Sequence, residues 1–179
     1  MIISQWILKM AGWRLDITVP DHPKCIICVA PHTSNWDFIL GKLAYNAIGR
    51  KASFLMKEQW FFFPLGLIFK AMGGIPVPRK RGSALTDEIV RLMNKSQRLT
   101  IAITPEGTRS RTDKWRRGFL FIARNADIPI LLGVIDYGEK IIRIRDTFRA
   151  TGDVDSDMLT IKNYYRKAIA RYPENFSTD

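Results

Sequence analysis

The residues best suited to acid–base chemistry lie in the segment APHTSNWD, residues 30–37. This segment contains His32, one of 2 histidines in the chain, followed five positions later by Asp37. A histidine beside a carboxylate can accept a proton from a hydroxyl group, while the carboxylate orients the ring and stabilises the imidazolium. The same segment also fits a helix N-terminus, because Ser34 followed three positions later by Asp37 is a capping-box pattern. The residues alone leave both interpretations open.

Two basic segments are candidates for phosphate binding. PEGTRSR, residues 105–111, follows an apolar, strand-like stretch, and ligands of α/β proteins usually bind where strands end. Gly107 permits a tight turn, and Arg109 can form two parallel hydrogen bonds to a phosphate. IPVPRKR, residues 75–81, places Arg79 at the end of a proline-bounded segment, where a second phosphate contact is possible. An exposed, solvated basic loop is the alternative for both segments.

Cys25 and Cys28 have a spacing that is also found in metal and redox sites. They lie in an apolar, β-branched stretch that predicts a buried strand, in which residues three apart point to opposite faces. This geometry argues against a disulfide, and it would splay a zinc site built from the two cysteines with His22 and His32. We therefore predict two core thiols and no metal site.

The charge of the chain restricts the kind of partner it can bind. The composition is that of a globular protein, with 46% apolar and 25% charged residues, and the net charge is +11. Such an excess favours a polyanionic partner, which can be nucleic acid, an anionic membrane or a phosphorylated substrate. The aromatic residues do not alternate with the basic loops as a base-stacking surface would require. We expect no nucleic-acid partner, and a basic nucleic-acid-binding domain is the main alternative from another class of protein.

The periodicity of apolar residues predicts a single α/β domain over residues 1–179. Strand-like stretches alternate with helical ones, which predicts a mostly parallel or mixed central sheet flanked by helices. An amphipathic helix is predicted at residues 1–15, and the last helix at residues 158–172. The other predicted helices cover residues 34–49, 64–72, 83–95 and 119–126, and the predicted strands cover residues 25–30, 52–57, 99–104, 128–135 and 140–148. Residues 73–82 are predicted to form a short strand or an extended segment broken by prolines.

The sequence also predicts where the protein acts in the cell. No uncharged apolar run reaches the ~18–20 residues needed to span a bilayer. Residues 1–15 lack the basic start and the small-residue cleavage site of a secretory signal, so a cytoplasmic location is expected. Trp6, Trp13, Trp60 and Phe61 to Phe63, with flanking Lys and Arg residues, suit a membrane interface. We predict peripheral or monotopic attachment to an anionic lipid surface, with burial of these aromatics in the core as the alternative.

Taken in order, the segments resemble those of the 1-acyl-sn-glycerol-3-phosphate acyltransferases and related glycerolipid acyltransferases. Members carry a histidine and an aspartate separated by four residues (HxxxxD), a GxIPVxR-like block, FPEGTRS, and an apolar block with a central proline. The corresponding blocks here are residues 32–37, 74–79, 105–110 and 128–130. The resemblance covers residues 25–135, which we term the motif-bearing core. Pro31 and Thr104 replace an asparagine and a phenylalanine that are common in the family, which leaves the acceptor open.

The resemblance implies an O-acyltransferase that uses acyl-CoA or acyl-carrier protein as the donor. The expected acceptor is the free hydroxyl of a lysophospholipid, 1-acylglycerol-3-phosphate, with another lysolipid or hydroxylated lipid as an alternative. Hydrolysis of the thioester by the same dyad is the alternative within enzymes. No cofactor beyond the acyl donor is implied. The implied catalytic residues are His32 as general base and Asp37, and the implied substrate-binding residues are Arg79, Glu106, Gly107, Thr108 and Arg109.

Overall fold

The computed structural model describes residues 1–77 and 83–179, in which seven β-strands and six α-helices alternate along most of the chain. Two short 3₁₀ helices are also present, at Glu58–Trp60 and Pro173–Asn175. The helices and strands in chain order are α1 (Ile2–Met10), β1 (Arg14–Ile17), β2 (Lys24–Ala30), α2 (Asn35–Ala47), β3 (Ser53–Lys57), α3 (Leu65–Ala71), β4 (Gly74–Val77), α4 (Ser83–Lys95), β5 (Leu99–Ile103), α5 (Gly118–Asn125), β6 (Ile130–Asp136), β7 (Ile141–Phe148) and α6 (Val154–Tyr165).

The strands form one mixed sheet in the order β1-β7-β6-β2-β5-β3-β4. Strands β6, β2, β5, β3 and β4 are parallel to one another, whereas β7 is antiparallel to β6 and parallel to the edge strand β1. The predicted α/β fold with a mostly parallel or mixed sheet is therefore confirmed. Because β6, β2 and β5 are parallel neighbours, their carboxyl ends meet at the same edge of the sheet.

The central strands are apolar throughout because helices cover both faces of the sheet. Every residue of β6 is buried, and Ile26, Ile101 and Ile130 have no exposed surface. One face packs against α4, α5 and α6, and the other packs against α1 and α2. Helix α1 is fixed to α2 by two side chains, since Ser4 donates to Asn46 at 2.9 Å and Gln5 donates to the carbonyl of Ala47 at 2.7 Å.

The two cysteines occupy opposite faces of β2, as predicted for a buried strand. Cys25 and Cys28 are free and buried, and each belongs to a different apolar cluster. Burial raises the pKa of Cys28 to about 12, so its thiol is protonated at neutral pH. Within residues 1–77 and 83–179, no group of three or more His, Cys, Asp or Glu residues is arranged to hold a metal ion.

The two terminal helices differ from their predicted extents. The helix predicted for residues 1–15 ends at Met10, because Gly12 adopts a positive φ of 78° and the following residues pair with β7 as strand β1. The helix predicted for residues 158–172 starts at Val154, where the Asp153 side chain accepts a hydrogen bond from the Ser156 amide, and ends at Tyr165. Beyond Tyr165 the chain continues through a turn, an irregular segment and the 3₁₀ helix Pro173–Asn175. None of the helices in the described parts of the chain is long and apolar enough to cross a membrane.

Candidate active site

The candidate site lies where three parallel strands end side by side. Strand β2 is followed by Pro31 and His32, β5 by Thr104 to Glu106, and β6 by Tyr137. The register of β2 with its neighbours places Cys28 beside Ile103 of β5 and Leu132 of β6. Residues far apart in the sequence therefore meet at one edge, which is the usual location of a site in an α/β sheet.

The N-terminus of α2 fixes the position of Asp37. The Ser34 side chain accepts a hydrogen bond from the Trp36 amide at 3.2 Å, and Asp37 Oδ2 accepts from the amides of Thr33 and Ser34, each at 2.8 Å. This is the capping box that the sequence predicts, in which the acid satisfies donors that a helix start would otherwise leave unpaired. Asp37 is thus held in the first turn of α2, close to His32 in the preceding loop.

The same capping box brings the predicted dyad together. His32 Nδ1 lies 3.4 Å from Asp37 Oδ2. This separation is longer than an optimal hydrogen bond, and catalytic hydrogen bonds in ligand-free sites often shorten when substrate binds. With Nδ1 directed at the carboxylate, Nε2 is the nitrogen left for a substrate. The capping box predicted for APHTSNWD is present, and it places the capping acid beside the histidine. The catalytic role of this pair stays a prediction.

Tyr137 completes the environment of Asp37. The Tyr137 hydroxyl donates to Asp37 Oδ1 at 2.7 Å. Burial acts to raise the pKa of Asp37, but hydrogen bonds with His32, Tyr137 and the Ser34 amide outweigh it and lower the pKa below its usual value. Asp37 is therefore ionised and is a suitable partner for an imidazolium.

Glu106 lies behind the main chain of His32. Its Oε1 accepts a hydrogen bond from the His32 amide at 3.1 Å, and its Oε2 is buried with no hydrogen-bond partner among the described residues. Burial raises the pKa of Glu106 to about 7, helped by the nearby charge of Asp37 and opposed by the His32 amide. Glu106 thus supports the loop that carries the histidine, and its contact with substrate stays a prediction.

The rest of the PEGTRSR loop brings Arg109 to the first turn of α2. Gly107 has a φ of 64°, and a Cβ atom there would lie 3.0 Å from Arg116 Nε, so both the conformation and the space favour glycine. The Thr108 hydroxyl accepts from the Ser110 amide at 3.2 Å. The exposed Arg109 guanidinium donates to Asn35 Oδ1 on the first turn of α2. Arg79 lies outside the described residues.

A cavity of about 910 Å³ joins these polar groups to an apolar interior. His32, Asp37, Asn35, Thr108 and Arg109 line its polar part. The apolar part lies between α2 and the sheet, and its lining includes Ile27, Val29, Ala44, Phe54, Ile135 and Ile144. Lys42 also lines the cavity, and its Nζ donates to the carbonyls of Ala52 at 2.9 Å and Met72 at 2.7 Å. One opening therefore presents polar, cationic groups next to a volume suited to a hydrocarbon chain.

Sequence reasoning identified the dyad and the arginine loop but missed Asn35 and Tyr137. Asn35 lies inside APHTSNWD, and its amide is a polar group at a helix start beside the site. Tyr137 follows the apolar strand β6, and a polar aromatic residue at the end of a buried strand was a usable signal. Neither residue belongs to a motif whose spacing gives its function.

Comparison with known proteins identifies the family and a similar fold. The model of the family described as Acyltransferase matches residues 18–134, so the chain belongs to that family and is an O-acyltransferase. The crystal structure of the 1-acyl-sn-glycerophosphate (LPA) acyltransferase PlsC from Thermotoga maritima has a similar fold, with a TM-score of 0.64 and 17% identity over 94% of this chain and 78% of that chain. No curated protein matches the chain. The family resemblance expected from the ordered motifs is confirmed.

Proposed function

We propose that this O-acyltransferase moves a fatty acyl group from acyl-CoA or acyl-carrier protein to the free hydroxyl of 1-acylglycerol-3-phosphate. The proposal rests on one observation: His32, Asp37 and Arg109 line the same cavity, and that cavity also has an apolar interior. A lysophospholipid has a hydroxyl, a phosphate and a hydrocarbon chain, and the donor adds a second hydrocarbon chain. The cavity offers a group of suitable chemistry to each of these parts.

His32 acts as the general base in this reaction. Its Nε2 removes the proton of the acceptor hydroxyl as the oxygen attacks the thioester carbonyl. The C–O bond forms, the C–S bond breaks, and the departing thiolate takes the proton from the imidazolium. Asp37 Oδ2, 3.4 Å from Nδ1, stabilises the ring while it is charged. A backbone amide or basic group of the site stabilises the oxyanion. The reaction needs no acyl-enzyme intermediate and no cofactor other than the acyl donor.

Arg109 binds the phosphate of the acceptor. Its guanidinium is exposed at the polar part of the cavity and is oriented by Asn35 on α2. A guanidinium can form two parallel hydrogen bonds with a phosphate, which fixes the orientation of the bound molecule. Arg79 contributes a second positive charge, as the family resemblance implies. The apolar interior binds a fatty acyl chain, whose burial contributes about 0.8 kcal/mol for each CH₂ group.

The enzyme binds peripherally to the surface of an anionic membrane. Two exposed apolar patches support this part of the proposal. On α1, Ile2, Ile3, Trp6 and Met10 are all at least 63% exposed, with Lys9 at the end of the helix. A second patch contains Trp60, Phe62, Phe63, Leu67 and Ile68. Such apolar surface next to basic residues is typical of segments that lie in a lipid interface.

Two aromatic residues predicted for the membrane interface are only partly exposed. Trp13 packs edge-on against Tyr137, with ring centroids 5.0 Å apart, and Phe61 packs against Phe69. These two rings pack partly against neighbouring elements, and their role at a membrane interface stays a prediction. The remaining members, Trp6, Trp60, Phe62 and Phe63, keep their proposed role.

The reaction is tested by offering the protein an acyl thioester with and without lysophosphatidate. We expect phosphatidate and free thiol in equal amounts when the acceptor is present, and little thioester cleavage when it is absent. His32→Ala should abolish transfer while His22→Ala, which changes the other histidine, should not. Equal release of fatty acid with and without acceptor would instead indicate a hydrolase.

Membrane attachment has its own test, by sedimentation with anionic and with uncharged vesicles. Phe63→Ser should weaken binding to anionic vesicles, whereas Phe121→Ser, a change of an exposed phenylalanine on α5, should not. Tight, salt-dependent binding to an oligonucleotide by a protein that transfers no acyl group would favour the nucleic-acid alternative.

A further inference from the structure

The two carboxylate oxygens of Asp37 have different hydrogen-bond partners. Oδ2 faces His32 Nδ1 at 3.4 Å and accepts the amides of Thr33 and Ser34 at 2.8 Å. Oδ1 accepts the Tyr137 hydroxyl at 2.7 Å. The Tyr137 contact is therefore the one that holds the far side of the carboxylate. Without it, the carboxylate is held through Oδ2 alone, and its terminal torsion, which has a broad preference, is less restricted.

Tyr137 is itself held firmly on three sides. It follows the last residue of β6, and its amide donates to the carbonyl of Ile169 at 2.8 Å. Its ring meets the Trp13 ring edge-on, with an interplanar angle of 89°. The Asp136 side chain accepts the Gly138 amide at 2.8 Å and shapes the turn that follows. These contacts fix the direction in which the hydroxyl points.

The hydroxyl of Tyr137 is a permanent donor to the carboxylate. Burial raises the pKa of Tyr137 well above its ordinary range, and the neighbouring Asp37 raises it further, against the opposing charge of Arg171. The phenol is therefore neutral, and its one proton is directed at Oδ1. Tyr137 does not line the cavity, so it acts on a substrate only through Asp37.

We infer that Tyr137 is a positioning residue, which keeps Asp37 Oδ2 directed at His32 Nδ1 and so keeps the histidine proton on Nδ1 and Nε2 free to act as base. This inference rests on the proposed role of His32. It adds the residue that directly follows β6 to a dyad that otherwise consists of neighbouring residues of one loop and one helix. The hydrogen bond joins residues 100 positions apart in the sequence.

Tyr137→Phe tests the inference, because it removes the hydroxyl and keeps the ring that packs on Trp13. We expect kcat to fall about tenfold, which is the scale of a hydrogen bond to a charged group. The KM values for donor and acceptor should be unchanged, because Tyr137 touches neither. Tyr164→Phe is the matched control, since the Tyr164 hydroxyl also donates to an aspartate, Asp146, at 2.7 Å but lies on α6 outside the cavity. This control should keep the wild-type kcat.

Two further measurements separate positioning from a general structural role. The ¹⁵N NMR signals of the histidine rings report which nitrogen carries the proton, and the chain has only 2 histidines. We expect the Nδ1–H form of His32 in the wild type and a shift toward Nε2–H in Tyr137→Phe. In an Asp37→Asn background, Tyr137→Phe should cause little further loss of kcat, because both changes act on the same interaction.

The inference is overturned if Tyr137→Phe keeps the wild-type kcat and ring signals, or if its effect on kcat is the same with and without Asp37. A wild-type protein that transfers no acyl group would contradict the proposed function instead. The ring signals would then still decide whether Tyr137 controls the His32 proton, because they require no substrate.

Discussion

Two segments that follow parallel strands meet at the same edge of the sheet, and each supplies a buried carboxylate: Asp37 from the first turn of α2 and Glu106 from the loop after β5. Asp37, after β2, is 2% exposed, and Glu106, after β5, is 5% exposed, so desolvation favours the neutral form of both. Asp37 accepts the amides of Thr33 and Ser34 and the Tyr137 hydroxyl. Glu106 accepts only the His32 amide among the described residues.

The pKa values of the two carboxyl groups are shifted in opposite directions. The pKa of Asp37 is lowered, and that of Glu106 is raised to about 7. The number of donors decides the charge of each group, since the depth of burial is nearly equal. The site therefore combines one fixed anion beside the histidine ring with one carboxyl group that changes its protonation near neutral pH. Two carboxyl groups with separated pKa values are the usual sign of different roles in one site.

Among the variants that test this comparison, Asp37→Asn should have the largest effect on kcat. The variant removes the anion beside His32 and disturbs the orientation of the ring, so kcat should fall on the order of a thousandfold. Initial rates at saturating donor and acceptor measure this. Asp157→Asn is the control, because Asp157 is also 2% exposed and accepts the Thr151 amide and hydroxyl at 2.9 and 2.7 Å. It should lower the free energy of unfolding without changing kcat, and an equal loss of kcat in both variants would show that only the fold was damaged.

Much of the loop after β2 could be predicted from sequence, because its contacts are local. The strand, the capping box and the helix follow from apolar runs and from Ser34 and Asp37 within a few positions of each other. Helix α4 was predicted with its observed bounds, Ser83–Lys95, from apolar spacing alone. By contrast, Arg14–Ile17 becomes a strand only by pairing with β7, and Tyr137 gains its role only when β6 lies beside β2. Such long-range contacts leave no periodic signal in a single sequence.

Glu106→Gln tests the raised pKa of the second carboxyl group. The variant should change how the free energy of unfolding depends on pH. The pKa of Glu106 is raised from 4.5 to about 7 in the folded protein, so folding favours the protonated form. The stability that this group contributes is complete below pH 4.5 and is lost as the pH rises to about 7. Glutamine stays neutral, so the variant should gain up to about 3 kcal/mol relative to the wild type over this range.

Urea unfolding of both proteins at about pH 4.5 and about pH 8 measures the gain from Glu106→Gln. Glu174→Gln replaces an exposed glutamate and should show no such trend. A difference between Glu106→Gln and the wild type that does not change with pH would contradict the raised pKa of Glu106.

Arg109→Ala tests the exposed part of the loop that also carries Glu106. Loss of the guanidinium should raise the KM for lysophosphatidate about 10- to 100-fold, because a charged hydrogen-bonded pair is removed. The KM for the acyl donor and kcat should change little. Arg111→Ala is the control, since Arg111 is also exposed and pairs with Asp179 at 3.7 Å. An unchanged KM for the acceptor in Arg109→Ala would exclude a phosphate contact.

Ser34→Ala should have the smallest effect, because it removes one hydrogen bond of the capping box and leaves Asp37 in place. The expected loss is about 1 kcal/mol in the free energy of unfolding. Asp153→Ala removes the side chain that caps α6 and should cost a similar amount. Only Ser34→Ala should also lower kcat. Equal kcat values in the two variants would show that the cap of α2 does not affect the positions of His32 and Asp37.

The parallel pairing of β2 with both β5 and β6 has a consequence for folding. The residues of the dyad are neighbours in sequence, but Glu106 is 74 positions from His32 and Tyr137 is 100 positions from Asp37. Closing these loops costs chain entropy before the contacts form, which makes such pairings slow steps. A chain that has formed α2 and its cap has both residues of the proposed dyad but lacks the contacts with Glu106 and Tyr137 that hold them. During refolding, enzymatic activity should therefore return with the central sheet and later than helical structure.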